Sequence, residues 1–146
     1  MEKGEYQLTN VLENMMRKGK KFVPGDVLEW LDCGNVDAAV YTNQRILEIK
    51  QDGNTPFPAS AKNENSVIVD PCFIGENVIL LNSVIGPYVS ISENTKLENC
   101  VIRNSIIQAN TKLSHVIIED SMIGNNVEFS GMKRKVSIGD FSTHLA

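Results

Sequence analysis

The chain has 146 residues, of which 42% are hydrophobic, a share that suffices for one ordinary domain or two small ones and is too high for a disordered chain. Its formal net charge is −4 and its basic cluster, Lys133–Lys135, is too short for a nucleic-acid-binding surface, so we expect no nucleic-acid partner. Because no apolar run approaches the roughly 18 residues of a membrane span and the acidic N terminus does not resemble a signal peptide, we expect no membrane association either.

The first predicted element is an amphipathic helix near the N terminus. Apolar residues recur there at the i, i+3, i+4, i+7 spacing of one helix face, at Leu8, Val11, Leu12, Met15 and Met16. Thr9 is placed to cap the start of this helix, and Gly19 is placed to end it. The apolar face, including the two methionines, is expected to lie in a core.

A turn, a short strand and a second helix are predicted next. Pro24-Gly25 is a turn signal, and Val27–Cys33 has the composition of a short strand. Asn35 is placed to cap a helix that ends near Lys50. The buried stripe of this helix is expected to consist of Val36, Ala39, Val40 and Leu47. Residues 51–60, which contain glycine and two prolines, are predicted to be a linker.

The second half of the chain carries a repeat of 16 or 17 residues. Isolated aliphatic residues fall five or six apart and sort into three columns with this step. The columns are Ile68, Ile85, Ile102 and Ile118, then Ile74, Ile91, Ile107 and Ile123, and then Leu80, Leu97, Leu113 and Phe129. Such a period is typical of a solenoid whose coils stack at roughly 4.8 Å, the strand-pairing distance, around a dry core. Because asparagine tolerates the left-handed backbone conformation, a further column is predicted to form corners, at Asn77, Asn94, Asn110 and Asn126.

Three segments of this half resemble the hexapeptide repeat of left-handed parallel β-helices. They are Ile74–Val78, Ile85–Val89 and Ile123–Val127, each with glycine in second position. The resemblance implies a mostly β fold, namely a left-handed parallel β-helix preceded by a small α/β segment. Acyltransferases, carbonic anhydrases and many sugar nucleotidyltransferases share this repeat, so the repeat indicates fold rather than function.

The first half carries a second, more specific resemblance. Two helices and a lone strand make a poor independent core, which indicates that this half is incomplete. The segments Glu5–Thr9, Trp30–Asn35 and Tyr41–Asn43, in this order ahead of a β-helix, are similar to the end of the catalytic domain of sugar-1-phosphate nucleotidyltransferases. The glucose-1-phosphate thymidylyltransferase-like and mannose-1-phosphate guanylyltransferase-like members are nearest.

This resemblance implies a division into domains and a reaction. Residues 1–50 would be the end of a catalytic domain, with helix–strand–helix order, residues 51–60 the linker, and residues 61–146 the left-handed parallel β-helix. Members of the family join a nucleoside triphosphate to a sugar 1-phosphate, and Mg²⁺ held by two aspartates neutralises the developing charge. These two substrates and Mg²⁺ are therefore implied for the parent enzyme.

The resemblance also implies a role for one aspartate. The Trp-Leu-Asp motif of the family matches Trp30-Leu31-Asp32, which makes Asp32 a Mg²⁺ ligand placed at a strand end by the packing of Trp30 and Leu31. Gly34 would allow a close backbone approach before the helix. Without the resemblance, Asp32 is simply a carboxylate near a helix start.

One departure from the family pattern limits the expected activity. The 146 residues contain no Gly-rich nucleotide-binding loop and no segment matching the partner aspartate. We therefore expect this chain to be a C-terminal fragment, from a truncated gene, a split subunit or a deliberate truncation. On its own, such a fragment is expected neither to transfer nucleotides nor to need a cofactor. Its β-helix is expected to serve structure and homo-oligomerisation.

Two other functions remain open at this point, a hexapeptide-repeat acyltransferase and a non-catalytic assembly module. Acyltransferases of this shape use a histidine base and a loop extruded from one coil. His115 shares a column with Asn82 and Asn99, which indicates a corner residue, and His144 lies next to the C terminus. The coil lengths vary only between 16 and 17 residues, so no coil contains the additional residues of an extruded loop.

The cysteines support neither a nucleophile nor a crosslink. Cys33, Cys72 and Cys100 are an odd number without CxxC spacing, which indicates neither a disulfide framework nor a zinc site and favours a reducing cytoplasm. Cys72 and Cys100 have no histidine nearby in sequence or column to activate them. The motif restarts out of phase at Ile138–Ser142, as a capping coil or an interface.

Overall fold

The computed structural model describes residues 8–50 and 55–131. These residues contain two helices and thirteen short strands and fall into two compact units, divided between Trp30 and Leu31. Within the described ranges no helix has the length and apolar character needed to cross a membrane. The start of the predicted linker, residues 51–54, and the motif restart at Ile138–Ser142 lie outside the described residues.

The first unit contains helix α1, Leu8–Arg17, which ends in a Schellman motif. Gly19 has a φ of +78°, its N–H donates to the Met16 carbonyl at 2.9 Å, and the Lys20 N–H donates to the Met15 carbonyl at 3.1 Å. The predicted role of Gly19 is therefore confirmed. The predicted cap at Thr9 is wrong, because Thr9 lies inside the helix.

The apolar face of α1 is exposed. None of the residues of α1 is buried, so the prediction that this face lies in a core is wrong. The physical reason is the composition of the unit, since its described residues contain no second helix or strand that could cover the face.

Residues 18–35 form no helix or strand. The predicted strand at Val27–Cys33 is therefore wrong, and Trp30 is 84% exposed rather than packed at a strand end. An isolated extended segment gains no ladder hydrogen bonds, and this segment pairs with none of the strands that the structure describes.

Helix α2, Val36–Lys50, belongs to the second unit and starts as predicted. The Asn35 side-chain oxygen accepts the Ala38 N–H at 2.8 Å, which is the N-cap hydrogen bond. Val40 and Leu47 are buried and Ala39 is partly buried, whereas Val36 is 51% exposed. The predicted stripe is confirmed except at Val36, which lies at the exposed first position of the helix.

The thirteen strands form three parallel sheets. In chain order the strands are β1 Lys62–Glu64, β2 Val67–Ile68, β3 Cys72–Ile74, β4 Ile79–Leu81, β5 Val84–Ile85, β6 Val89–Ile91, β7 Lys96–Glu98, β8 Val101–Ile102, β9 Ile106–Ile107, β10 Lys112–Ser114, β11 Ile117–Ile118, β12 Met122–Ile123 and β13 Glu128–Ser130. The first sheet has the order β1-β4-β7-β10-β13, the second β2-β5-β8-β11 and the third β3-β6-β9-β12. Each complete coil contributes one strand to each sheet, and the coils make about four turns, which confirms the predicted parallel β-solenoid. The left-handed sense of the solenoid remains a prediction that rests on the resemblance to hexapeptide-repeat proteins.

The register of the strands confirms the three aliphatic columns. Leu80 lies beside Leu97, Ile85 beside Ile102, and the other column members pair in the same way. The inner eight side chains are almost completely buried, at Ile74, Leu80, Ile85, Ile91, Leu97, Ile102, Ile107 and Leu113. Ile68, Ile118 and Ile123 in the end coils are partly buried, and Phe129 is 53% exposed in the last described coil. Column residues are therefore most completely buried in the middle coils, although Ile74, in the edge strand β3, is also only 3% exposed.

The corners are formed by residues with positive φ. The predicted corner column has φ values of 56–58°, at Asn77, Asn94, Asn110 and Asn126. A second corner column contains Asn65, Asn82, Asn99 and His115. Side-chain amides connect successive corners, as between Asn77 and Asn94 at 3.1 Å and between Asn65 and Asn82 at 2.9 Å. The corner prediction is confirmed, and the third column, Tyr88, Asn104 and Asp120, adds residues that it missed.

The glycine of the hexapeptide motif is required where coils approach closely. A Cβ atom on Gly86, which has a φ of +103°, would lie 2.0 Å from the Val69 carbonyl oxygen of the previous coil. A Cβ on Gly75 would lie 2.7 Å from the Glu93 nitrogen of the next coil. Both distances are shorter than real Cβ contacts, so these positions exclude a side chain.

Candidate functional site

Asp32 sits in a hydrogen-bonded loop just before α2. One carboxylate oxygen, Oδ1, accepts the N–H groups of Cys33 at 2.8 Å and Gly34 at 3.2 Å. The Thr42 hydroxyl, on α2, donates to the Asp32 carbonyl at 2.7 Å. A Cβ atom on Gly34 would lie 3.3 Å from Oδ2, which is a tight contact, so glycine at this position avoids crowding the Asp32 carboxylate. The loop holds the exposed Asp32 side chain through Oδ1 and leaves Oδ2 available to a ligand.

Asp32 is the carboxylate that the backbone of this loop holds. Nowhere in ranges 8–50 and 55–131 do three His, Cys, Asp or Glu side chains come together as a metal site. Mg²⁺ prefers hard oxygen ligands and commonly takes only one or two protein carboxylates. Asp32 therefore fits one position of a shared Mg²⁺ site, and its predicted role stays a prediction.

Helix α2 is attached to the solenoid by polar contacts. The Asn43 amide nitrogen donates to the Tyr88 carbonyl at 3.2 Å, and the Asn43 amide oxygen accepts the Ser90 hydroxyl on β6. Further along the helix, hydrogen bonds from Gln44 and Arg45 hold the pKa of the Glu48 carboxyl below its usual range, and the Tyr88 hydroxyl contributes. Tyr88 thus contacts α2 at two places, through its carbonyl and its ring.

These contacts were not predicted. The sequence signal for them is the Tyr41–Asn43 segment, which was recognised only as part of the family resemblance. Thr42 and Asn43 are polar residues between the two buried residues of α2, Val40 and Leu47. Both side chains are partly buried, and Thr42 bonds to the Asp32 loop whereas Asn43 bonds to the solenoid.

Two grooves flank α2. An open apolar groove of about 590 Å³ lies beside the Asp32 loop, with Val36, Ala39 and Ile46 of α2 on one side and Ile106 and Met122 of the third sheet on the other. Cys33 also lines it, so the groove reaches the candidate site.

The second groove, of about 320 Å³, is more polar. It is lined by Asp37, Tyr41 and Gln44 of α2 and by the corner residues Asn104 and Asp120. The Asn104 amide nitrogen donates to Asp120 at 2.6 Å, while its oxygen is buried and lacks a hydrogen-bond partner among the described residues.

His115 is a corner residue, as predicted. It has a φ of +56°, and its Nε2 lies 3.1 Å from the Asn99 amide nitrogen, in the place where asparagine stands in other coils. The described coils advance by 16 or 17 residues and contain no extruded loop. His144 lies outside the described residues. The acyltransferase interpretation therefore gains no support from His115.

The solenoid cysteines are buried thiols. Burial raises the pKa of Cys72 to about 11, and it raises the pKa of Cys100 as well. Cys72 Sγ donates to the Val69 carbonyl at 3.1 Å and Cys100 Sγ donates to the Glu98 carbonyl at 3.3 Å. A raised pKa opposes formation of the reactive thiolate. Neither residue is a candidate nucleophile, and Cys33 is the exposed cysteine.

Comparison with known proteins confirms the resemblance seen in the sequence. The chain is 27% identical to a glucose-1-phosphate thymidylyltransferase of Streptomyces griseus, over 72% of this chain and 34% of that protein. It is 28% identical to a glucose-1-phosphate thymidylyltransferase of Streptomyces antibioticus, over 73% of this chain and 34% of that protein. No family model matches the chain. The chain thus spans about a third of the length of the curated relatives that it matches, and it is distantly related to sugar nucleotidyltransferases.

Proposed function

We propose that this chain is the C-terminal region of a cytoplasmic sugar-1-phosphate nucleotidyltransferase that makes nucleoside diphosphate sugars. The observation that carries the proposal is the match to two glucose-1-phosphate thymidylyltransferases over more than 70% of the chain. The parallel solenoid and the Trp30–Asp32 motif ahead of α2 agree with it, since both were expected from the same family.

In this proposal Asp32 is one of the carboxylates that hold Mg²⁺. When bound, the ion would neutralise charge on the phosphates of the nucleoside triphosphate. The backbone N–H groups of Cys33 and Gly34 fix one oxygen of Asp32, which leaves the other oxygen for the metal. Because the sequence has no Gly-rich phosphate-binding loop and residues 8–50 and 55–131 hold no cluster of three metal ligands, the other ligands and the nucleotide site would come from the remaining two thirds of the enzyme.

The apolar groove beside the loop is where that larger part would pack. Met122 is 39% exposed, and the groove joins α2 to the third sheet next to Cys33. A packed catalytic domain would cover these apolar side chains and bring its own metal ligand to Asp32.

The test compares the chain alone with the chain extended by the protein sequence encoded directly upstream. With glucose 1-phosphate, deoxythymidine triphosphate and Mg²⁺, we expect the extended protein to release pyrophosphate and the 146-residue chain to release none. In the extended protein Asp32→Asn should lower kcat at least about 100-fold, since a charged metal ligand is lost, whereas Asp37→Asn should change it less than about twofold. Activity in the chain alone, or an unimpaired Asp32→Asn enzyme, would contradict the proposal.

A role of the solenoid in homo-oligomerisation is favoured by a separate observation. The outward column of the second sheet is entirely aliphatic, at Val67, Val84, Val101 and Ile117. Ile117 is 85% exposed. Contiguous apolar surface of this kind commonly marks an interaction site. This column also supports the alternative that the chain is a non-catalytic assembly module.

Sedimentation analysis tests this role. We expect the chain to form oligomers that dissociate when Ile117→Lys places a charge in the column. Lys112→Ala, on the charged first sheet, is the matched control and should leave the oligomer intact. A monomeric wild-type chain at all concentrations would rule out the role.

A further inference from the structure

Two adjacent residues of α2 connect the Asp32 loop to the solenoid. Thr42 donates to the carbonyl of Asp32 at 2.7 Å. Its neighbour Asn43 uses both atoms of its amide on the solenoid, one on the Tyr88 carbonyl and the other on the Ser90 hydroxyl. Neighbouring side chains on a helix point about 100° apart, so one residue faces the loop while the next faces the coils.

We propose that the solenoid positions the Asp32 carboxylate through this chain of hydrogen bonds, with Ser90, Asn43 and Thr42 as positioning residues. The proposal rests on the proposed function in that it gives the position of Asp32 a catalytic purpose. It adds a role for the β-solenoid in the reaction, since the solenoid would set the geometry of the metal site.

Directional contacts are needed because apolar packing leaves α2 some freedom. Val40 and Leu47 are the two buried residues of the helix, and they hold it against neighbouring side chains. Dispersion contacts of this kind change little when a helix rotates or slides slightly. A hydrogen bond weakens steeply as its angle departs from linearity, so the Asn43 contacts fix the rotation of the helix.

The rotation of α2 determines where Asp32 stands. Because Thr42 follows any rotation fixed by Asn43, its hydroxyl defines the position of the Asp32 carbonyl. The carboxylate of the same residue is locked to the loop backbone through Cys33 and Gly34. Loss of the Ser90 hydroxyl, in a different element, should therefore loosen the loop.

The contact between Glu48 and Tyr88 supports this arrangement. It lies more than one turn beyond Asn43 and involves the same solenoid residue. Tyr88 has a φ of +64°, a conformation that is costly for a large side chain and needs a surrounding structure that enforces it. The carbonyl and the hydroxyl of this residue both face α2.

The experiment measures loop order in the full 146-residue chain by nuclear magnetic resonance. In the wild type we expect backbone order parameters near about 0.85 for Cys33 and Gly34, the value of rigid backbone. Ser90→Ala, Asn43→Ala and Thr42→Val should each lower them toward about 0.6 while leaving β5 to β10 unchanged. Thr42→Ser, which keeps the hydroxyl, should restore loop order.

The control is Ser114→Ala, which removes one solenoid hydroxyl bonded to Ser130 at 2.8 Å, on the first sheet and away from α2. It should leave the loop rigid. Unchanged order parameters in both Ser90→Ala and Asn43→Ala would overturn the positioning proposal, as would a wild-type loop that is already flexible.

A second measurement separates this proposal from the proposed function. In the extended, active protein Ser90→Ala should lower kcat roughly three- to tenfold with little change in KM, as expected for one lost hydrogen bond that acts on catalytic geometry. A loop that loosens without any effect on kcat would keep the structural coupling and refute the catalytic purpose of Asp32. A rigid loop with intact activity would refute the coupling and leave the proposed function standing.

Discussion

The solenoid and the first unit differ in what they do with similar apolar side chains. In the solenoid, eight of the twelve column residues are almost completely buried, whereas in α1 no residue is buried. Column residues in the middle coils are covered by the coils above and below, which the repeat itself provides. The apolar face of α1 has no such neighbour among the described residues of its unit, and this agrees with the proposal that its partners belong to the rest of a larger enzyme.

The largest effect is expected from a charge in a column. Ile91 is fully buried beside Ile74 and Ile107. Ile91→Asp would bury an unpaired carboxylate at a cost comparable to the roughly 5–15 kcal/mol of total stability that domains possess, so we expect an unfolded solenoid. Circular dichroism should show loss of strand signal and of cooperative melting.

The matched control is Ile117→Asp, on the outside of the second sheet. Its side chain is 85% exposed, so we expect a change within about 0.5 kcal/mol in the monomer. A native-like spectrum for Ile91→Asp would contradict the column assignment.

These columns also show how much of the fold the sequence could predict. Each aliphatic residue of a column packs on the residues 16 or 17 positions away in the adjacent coils. The same requirement therefore recurs in every coil, and a single non-aliphatic residue would not hide the pattern. The corner asparagines follow from the same repetition, because the backbone needs a positive φ at the same place in every coil. His115 could be placed as a corner residue for this reason.

The first half could be predicted less well because its signals occur once. The caps at Asn35 and Gly19 are confirmed, since each depends on atoms only a few residues away, whereas the cap at Thr9 is wrong. The strand at Val27–Cys33 was wrong, because a strand requires a partner that the segment itself does not encode. The attachment of Asn43 to Ser90 joins residues 47 positions apart, and no local pattern announces such a contact.

Shortening one leucine to alanine in each region gives the next largest difference in stability. Leu97 is fully buried in the third column, and Leu97→Ala should destabilise the solenoid by about 2–5 kcal/mol. Leu12→Ala, on the exposed face of α1, should change stability by less than about 0.5 kcal/mol, because little burial is lost. Urea unfolding followed by circular dichroism measures both. Equal destabilisation by the two variants would show that the face of α1 is buried in solution.

A loss of stability at alkaline pH is expected in the solenoid, at the buried thiol of Cys72. The pKa of Cys72 is raised from about 9 to about 11 by burial, so the folded state keeps its thiol proton where the unfolded state loses it. Stability is then fully present below about pH 9 and falls as the pH rises toward about 11. Thermal melts of the wild type and Cys72→Ala across this range should show a smaller decline in the variant. Cys33→Ala, at the exposed cysteine, should decline like the wild type.

The smallest effects come from one backbone conformation used in both regions. Asn110 has a φ of +58° at a solenoid corner, and Gly19 has a φ of +78° after α1. Alanine at either position costs about 1–2 kcal/mol in the left-handed conformation. Asn110→Ala should lower the melting temperature of the whole solenoid by about 5 °C, because the corner is coupled to the coils on both sides. Asn110→Gly should cost less, since it keeps the conformation and loses only the side-chain hydrogen bond with Asn94.

Gly19→Ala should fray the end of α1, seen in the chemical shifts of Lys18 to Lys20, without changing the melting temperature of the solenoid. If it did lower the melting temperature of the solenoid, the first unit would have to unfold together with the coils, and the contrast between a self-covering repeat and an uncovered helix would be lost.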